Sequence, residues 1–255
     1  MKKNNQIYLS VVFPAYNEEK RIEKSLIETK NYFDNKEYTY EIIVSDDGST
    51  DKTCEIVEEL SKNWSQLKLV KNPHKGKAPA LISGVNKANG KYVLISDVDL
   101  SVSIDQTPKL LVWVEDQDYD LAIATREGVG ATRLDEPIMR HIMGRVFNAL
   151  VQILVLPGIN DTQCGFKLGK TEVLKKVFKK TKLYSANDPE IQGGRVGAYD
   201  VEFLFVAKKL GYKIKEVPVT WVYGDNSKVH KLKDSYYNAK DVVLVRLNDW
   251  KGLYN

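Results

Sequence analysis

The chain has few of the residues that would tie it to several large classes of protein. Its 255 residues include only two cysteines, Cys54 and Cys164, far apart and in no zinc or redox spacing. A disulfide scaffold is thereby excluded, and a reduced, intracellular setting is expected. The three histidines, His74, His141 and His230, are scattered and match no metal-ligand pattern. No stretch reaches the about 20 apolar residues that span a bilayer; the best, 146–159, is broken by Asn148, Gln152 and Pro157. The opening MKKNNQ is not followed by the apolar core of a signal peptide, so no leader is expected. Charge of one sign is also scarce. Lys and Arg number 38 against 34 Asp and Glu, a net +4 too weak to imply nucleic acid. Neither G-x-G-x-x-G nor G-x-x-x-x-G-K-[ST] occurs, which disfavours a Rossmann dehydrogenase or a P-loop kinase.

What is present is ordinary globular composition, with 43% apolar and 28% charged residues. There is no repeat, linker or low-complexity tract, so 1–255 reads as one domain with halves 1–125 and 126–255. In the first half, apolar strand-like runs at 9–13, 41–45, 67–70, 92–96 and 121–124 alternate with helical spacing at 18–33, 53–60 and 80–88. Such alternation predicts parallel βαβ units and an open, mostly parallel sheet flanked by helices. Ligands of these sheets bind beyond the carboxyl ends of the strands. Those ends carry Pro14-Ala15-Tyr16-Asn17, Asp46-Asp47 and Asp97-Val98-Asp99. The second half is less regular. Helices are expected at 136–156, 200–210 and 234–247, a strand at 212–219, and a polar-then-apolar segment at 161–168.

Asp97 and Asp99 follow the strand YVLIS, and alternate residues of an extended segment share a face. Two carboxylates with open positions suit Mg²⁺ or Mn²⁺ held together with substrate phosphates. A solvated strand end is the plain alternative. Asp46 and Asp47 can accept hydrogen bonds from ribose hydroxyls or a base N–H, while Gly48 to Asp51 is explained by a strand–turn–helix junction alone. Pro14 fixes the exit from the first strand. Tyr16 offers a ring for base stacking, and Glu18 and Glu19 suit a helix N-terminus.

The order PAYNEE, DDGSTD, a Gly-Lys loop and DVD resembles glycosyltransferase family 2, which has the GT-A fold. DTQCGFKL at 161–168, YDVEF at 199–203, EVPV at 216–219 with Trp221, Ser227-Lys228, and KDVVLVR at 240–246 resemble the dolichyl-phosphate β-glucosyltransferase and polyprenyl-phosphate sugar synthase branch. The resemblance covers roughly residues 8–248. It implies an inverting, metal-dependent transfer of a hexose, glucose from UDP-glucose by the branch's pattern, onto a polyprenyl or dolichyl phosphate. Pro14, Tyr16 and Glu18 would meet the nucleobase region, with Asp46 and Asp47 at the base or ribose. Asp97 and Asp99 would hold the cation and the sugar diphosphate, aided by Lys77. Arg126 matches a family Ser-Arg position with Thr125 in place of Ser. Arg140 and Lys228 would serve the phosphates or acceptor, and Asp161 an acid near the reacting sugar. Asp99, Arg126 and Asp161 are thus the candidate catalytic residues. Two departures stand out: the loop reads Gly76-Lys77-Ala78-Pro79, with Pro79 the expected first helical residue, and Val98 replaces the usual Ala.

The expected partners are a nucleotide-diphosphate sugar, a polyprenyl phosphate, the membrane surface and a possible membrane-anchoring protein, but no nucleic acid. The expected location is cytoplasmic, peripheral at the cytoplasmic face of the membrane. The helix over 138–156 mixes apolar residues with Arg140 and Arg145, which suits either a core helix or one lying in the lipid interface. The acceptor decides whether a base is needed. A phosphate monoester, with a second pKa of about 6, is already a dianion at neutral pH, whereas a glycan hydroxyl wants a general base. For a hydroxyl acceptor Asp161, Asp200 or Glu202 would be candidates, although Asp200 and Glu202 face different ways on a helix. A glycan-hydroxyl transferase and a catalytically silent nucleotide-binding module are the competing readings. Cys164 reads as packing, and Gln192-Gly-Gly-Arg195 as a glycine-rich loop.

Overall fold

The computed structural model describes residues 6–184, 190–191, 197–224 and 231–255, with backbone alone at 231–234. Strands β1 (Leu9–Ala15), β2 (Tyr40–Asp46), β3 (Leu67–Lys71) and β4 (Tyr92–Ile95) are all parallel, in the order β3-β2-β1-β4. β1, β2 and β4 are almost wholly buried apolar runs, as strands covered on both faces must be. Helices α1 (Ile22–Asp34), α2 (Thr53–Lys62) and α3 (Lys77–Lys87) make the crossovers. α3 begins at Lys77, so Pro79 is its third residue rather than its first. Proline is tolerated there because the first-turn N–H groups lack helical partners anyway.

The sheet does not continue directly into β5 (Leu121–Thr125), which follows α4 (Thr107–Glu115). A later strand, β7 (Lys167–Lys170), inserts antiparallel between β4 and β5, and β8 (Ile214–Pro218) closes the edge parallel to β5. The seven-stranded order is β3-β2-β1-β4-β7-β5-β8. A two-stranded annex pairs β6 (Thr132–Leu134) with β9 (Thr220–Val222). Helices α5 (Ile138–Leu154), α6 (Thr171–Lys180), α7 (Tyr199–Lys209) and α8 (Lys231–Trp250) complete the second half. The sequence pattern does not reveal α4, α6, β6, β7 or β9.

Side-chain alternation sorts the interior into two cores. Val12, Ile43, Val93 and Ile95 face α3 and the second-half helices, whereas Val11, Phe13, Ile42, Val44 and Leu94 face α1 and α4. Each core draws on both halves of the chain. Near the amino ends of β1 and β2, buried Glu41 accepts hydrogen bonds from Ser10 Oγ (2.6 Å), Lys68 Nζ (2.6 Å) and the Asn89 N–H (2.7 Å). Burial opposes its charge, but these donors outweigh it and hold its carboxyl below the ordinary range. Function is left to the opposite ends of the strands, where the loops after β1, β2 and β4 gather.

Candidate active site

The loops leaving β1 and β2 are sewn to each other. The Asn17 N–H donates to Ser49 Oγ (2.9 Å), and the Thr50 N–H donates to Asn17 Oδ1 (2.8 Å). The Glu18 N–H donates to Thr53 Oγ1 (2.8 Å), and the Glu18 carboxylate pairs with Arg21. Asn17 holds a left-handed φ of 54°, which asparagine tolerates. Asp46 Oδ2 accepts the N–H groups of Gly48 (2.9 Å) and Ser49 (3.0 Å). Asp47 reaches the next loop: its carboxylate accepts the N–H groups of Lys75 (2.8 Å) and Gly76 (2.9 Å) and meets His74 Nδ1 (2.9 Å). The His74 ring lies flat against Tyr16, centroids 4.0 Å apart and planes within 4°. Gly48, at φ +72°, has no room for a side chain, since a Cβ would sit 2.8 Å from the His74 nitrogen. A stacked aromatic pair and a fixed Gly-Lys loop therefore stand side by side.

Lys77, the first residue of α3, places Nζ 2.5 Å from Asp97 Oδ1. Burial opposes the Lys77 charge, yet Asp97 and the neighbouring Tyr199 and Asp200 hold its pKa well above the ordinary lysine value. Asp97 also rests on the DTQCGFKL segment: a Cβ at Gly165 would lie 2.0 Å from Asp97 Oδ2. Asp99 is exposed, and its Oδ1 accepts the Ser101 N–H (3.0 Å). Arg21 is near enough for both acids to add to the rise in its pKa, which burial opposes and Glu18 chiefly drives. No cluster of three or more His, Cys, Asp or Glu side chains poised for a metal occurs among the described residues. Two hard carboxylates in this number suit Mg²⁺ or Mn²⁺ when ligand phosphates complete the shell.

The second-half centre is a buried ion pair. Asp161 accepts from Arg126 Nε (2.7 Å), from Arg126 Nη2 (2.9 Å) and from the Arg126 backbone N–H (3.0 Å). Burial disfavours the Asp161 charge, but Arg126 overrides it and holds the carboxyl below the usual range. Glu216 at β8 fixes the turn by accepting the N–H groups of Asn160 (2.9 Å) and Asp161 (3.0 Å). The Trp221 ring lies 5.2 Å from the guanidinium. From here a cavity of about 500 Å³ extends among Lys77, Arg126, α5, Tyr199 and α8. Among the described residues, six Lys and Arg side chains line it against four carboxylates, and each carboxylate already has a cation. Asp161 holds Arg126; Glu127 and Glu136 both hold Arg133; Asp200 holds buried Lys167 at 2.5 Å.

The cavity thus brings Lys77, Arg126, Arg140 and Asp161 together, with Asp97 held on Lys77, while Pro14, Tyr16, Glu18, Asp46 and Asp47 lie outside its lining, at the ends of β1 and β2 and in the loops after them. Arg140 sits beside the Tyr223 ring, 4.9 Å from its centroid. Lys228 lies outside the described residues, as does Gln192-Gly-Gly-Arg195. Glu202 does not enter the site: it accepts from Tyr254 Oη (2.7 Å) and from the N–H groups at 182–183. Burial pushes the Cys164 thiol up to about 11, in keeping with a packing role. Sequence reading missed His74, Arg133, Glu136 and Glu216. Only Glu216 carried a signal, as the one acid of the EVPV motif.

Comparison with known proteins fits this geometry. The family model described as glycosyl transferase family 2 matches residues 10–178. A dolichyl-phosphate beta-glucosyltransferase of Dictyostelium discoideum is 33% identical over 265 residues, covering 98% of this chain and 77% of that relative. One of Saccharomyces cerevisiae is 31% identical, covering 98% and 78%. Among solved structures, glucosyl-3-phosphoglycerate synthase from Mycobacterium tuberculosis with Mn²⁺ and uridine-diphosphate-glucose superposes with a TM-score of 0.61 at 20% identity, over 96% of this chain and 79% of that one. The likeness in fold extends over nearly the whole chain and places it among GT-A-like structures.

Two outcomes follow from the contacts. Gly165→Ala forces Asp97 aside, and calorimetry is expected to show at least a tenfold loss of Mn²⁺-dependent UDP affinity with little change in melting temperature. Asp161→Asn leaves Arg126 buried without its counter-charge, at a cost of about 3–5 kcal/mol in urea unfolding. Because the folded pKa of Asp161 is depressed, the pair's stabilisation is complete above the unfolded carboxylate pKa of about 4 and is lost as pH falls through the lower folded value. A parent protein whose unfolding is no more acid-sensitive than that of Asp161→Asn would contradict this.

Proposed function

This chain belongs to glycosyl transferase family 2, and on that premise we propose that it moves a hexose from a nucleotide-diphosphate sugar to a polyprenyl or dolichyl phosphate. Glucose from UDP-glucose is the donor that the relatives' names and the UDP-glucose complex favour. The single observation carrying the choice of acceptor is that all four carboxylates lining the cavity are paired with cations. A hydroxyl acceptor needs a free base there. A lipid phosphate does not, since with a pKa of about 6 it arrives ionised.

In this reading the base stacks against the Tyr16–His74 pair, near Pro14 and Glu18, with Asp46 at the base or ribose. Asp47 acts indirectly, by holding the Gly-Lys loop. Asp97 and Asp99 would hold Mg²⁺ or Mn²⁺ together with the diphosphate. When bound, the cation would supply positive charge against the departing nucleotide diphosphate. Lys77, released from Asp97, turns to the same phosphates. Arg126, oriented by Asp161, points its remaining N–H groups at phosphate oxygens, and Arg140 attracts the acceptor. Asp161 is a positioning residue rather than a base. The acceptor phosphate oxygen attacks the anomeric carbon as the bond to the nucleotide diphosphate breaks, in one in-line displacement with inversion. Holding the two reactants in line and neutralising the leaving group supply the acceleration.

The lipid acceptor agrees with how α5 is presented. Its outward residues Met139, Ile142, Val146, Ala149 and Ile153 recur at helical spacing and carry no polar group, with Ile153 80% exposed. α8 packs on α5 and exposes Tyr236, Val243, Leu247 and Trp250. No helix of the described residues is long and apolar enough to cross a membrane. In this reading the protein sits peripherally on the cytoplasmic membrane face, with α5 in the lipid interface, alone or with a membrane-anchored partner.

The test is a transfer assay with radiolabelled UDP-glucose, GDP-mannose in parallel, Mg²⁺ or Mn²⁺, and a short polyprenyl phosphate in detergent. Metal-dependent label in the organic phase, absent with Asp99→Ala, is expected. Slow UDP release without lipid product would redirect the acceptor to glycan hydroxyls. Absence of product, UDP release and nucleotide binding would sink the enzyme reading.

A further inference from the structure

Among the described residues, three buried polar atoms of cavity-lining side chains have no hydrogen-bond partner: Tyr199 Oη and two amide oxygens. Asn148 Oδ1 on α5 and Asn238 Oδ1 on α8 are both buried without a hydrogen-bond partner. The side chains are 6% and 8% exposed, and both line the cavity. Asn148 keeps only a long contact from Nδ2 to the Ile159 carbonyl, 3.4 Å. An orphaned buried carbonyl costs about 1–3 kcal/mol, and two of them facing one void point to a ligand that supplies the missing donors.

The chemistry of the missing partner follows from the atoms left open. Those on α5 and α8 are amide oxygens, which can only accept, whereas Tyr199 Oη can donate or accept. A phosphate dianion has no proton to donate and so cannot satisfy the amide oxygens; nor can an apolar lipid chain. A polyhydroxyl ring can. Position agrees with this. Arg140, Gly144 and Asn148 succeed one another at four-residue intervals on α5, so Asn148 lies about 12 Å along the helix from Arg140. Gly144 leaves open space between them, since a Cβ there would meet nothing within 4 Å. Tyr199, whose ring lies 5.8 Å from Lys77 Nζ, forms the wall on the diphosphate side.

We propose that Asn148 and Asn238 form the subsite for the transferred sugar, their amide oxygens accepting hydroxyl protons of the donor hexose. The arginines at the mouth take the acceptor phosphate. This rests on the proposed transfer reaction only for the identity of the ring as the transferred one, because the subsite can be read by donor binding alone. The two asparagines then set which hexose is accepted, through the hydroxyls they meet.

The test compares the full chain with Asn148→Leu, Asn238→Leu and the double variant, using UDP and UDP-glucose with Mn²⁺ in calorimetry. Leucine keeps the branched shape and removes the orphan, so the ligand-free melting temperature is expected to hold or rise. UDP affinity is expected to stay within twofold, while the ratio of UDP-glucose to UDP affinity falls at least tenfold. Donor deoxygenated in turn at each free hydroxyl of the glucose gives a second reading that needs no variant to fold. The parent should lose affinity for at least one deoxy donor, and the leucine variants should not distinguish that donor from UDP-glucose. An unchanged affinity ratio, or a parent indifferent to every deoxy donor, would overturn the subsite. A parent that shows the subsite but makes no lipid product would leave it standing and overturn the acceptor reading instead.

Discussion

The Arg126–Asp161 pair is the interaction on which the second half of the site depends. Arg126 leaves β5, the strand that cannot join the parallel set directly, and Asp161 precedes β7, the strand inserted to bridge the gap. The pair therefore ties together the two places where the sheet departs from simple alternation. It also faces outward in its consequences. Glu216 fixes the Asp161 turn, Trp221 covers the guanidinium, and the Arg126 carbonyl accepts from Arg133 Nε (3.0 Å). Arg133 in turn gathers Glu127 and Glu136, against which Arg140, His141 and Arg145 are set. One saturated carboxylate thereby organises a basic wall.

How much of this was legible depends on whether the signal was local. Strand ends carrying acids and an aromatic are local, so the placement of Tyr16, Asp46, Asp97 and Asp99 beyond the strands could be read from order and spacing. Their division of labour could not. Asp46 and Asp47 are neighbours with opposite outlooks: one holds its own turn, while the other holds a loop that arrives after β3. β7 was hidden because Lys167-Leu-Gly-Lys170 has little strand character, and only two flanking strands make it one. α5 shows a different limit. Its apolar periodicity is plain, but periodicity does not say which face is inside. Here the arginines and Asn148 line the cavity, Phe147, Leu150, Val151 and Leu154 pack on the core, and a second apolar stripe turns out.

That exposed apolar stripe and the paired carboxylates describe one chemical situation from two sides. A cavity whose carboxylates, among the described residues, are all paired with cations favours a nucleophile that is ionised before it arrives. A basic wall attracts an anion. An apolar outer face suits an anion delivered from a lipid surface. In the proposed reaction the departing diphosphate would meet Lys77 and a cation held by Asp97 and Asp99. Nothing in this arrangement asks a side chain to take a proton in the transition state.

The most direct measurement is therefore the pH dependence of kcat/KM for lipid acceptors whose phosphate ionises at different pH. With a polyprenyl phosphate the rate is predicted to rise through about pH 6 and then level off. With an α-fluorinated phosphonate of lower pKa, the same limb should move down in pH by the difference between the two acceptors. A limb that stays at one pH whatever the acceptor would belong to a base on the enzyme and would contradict the account.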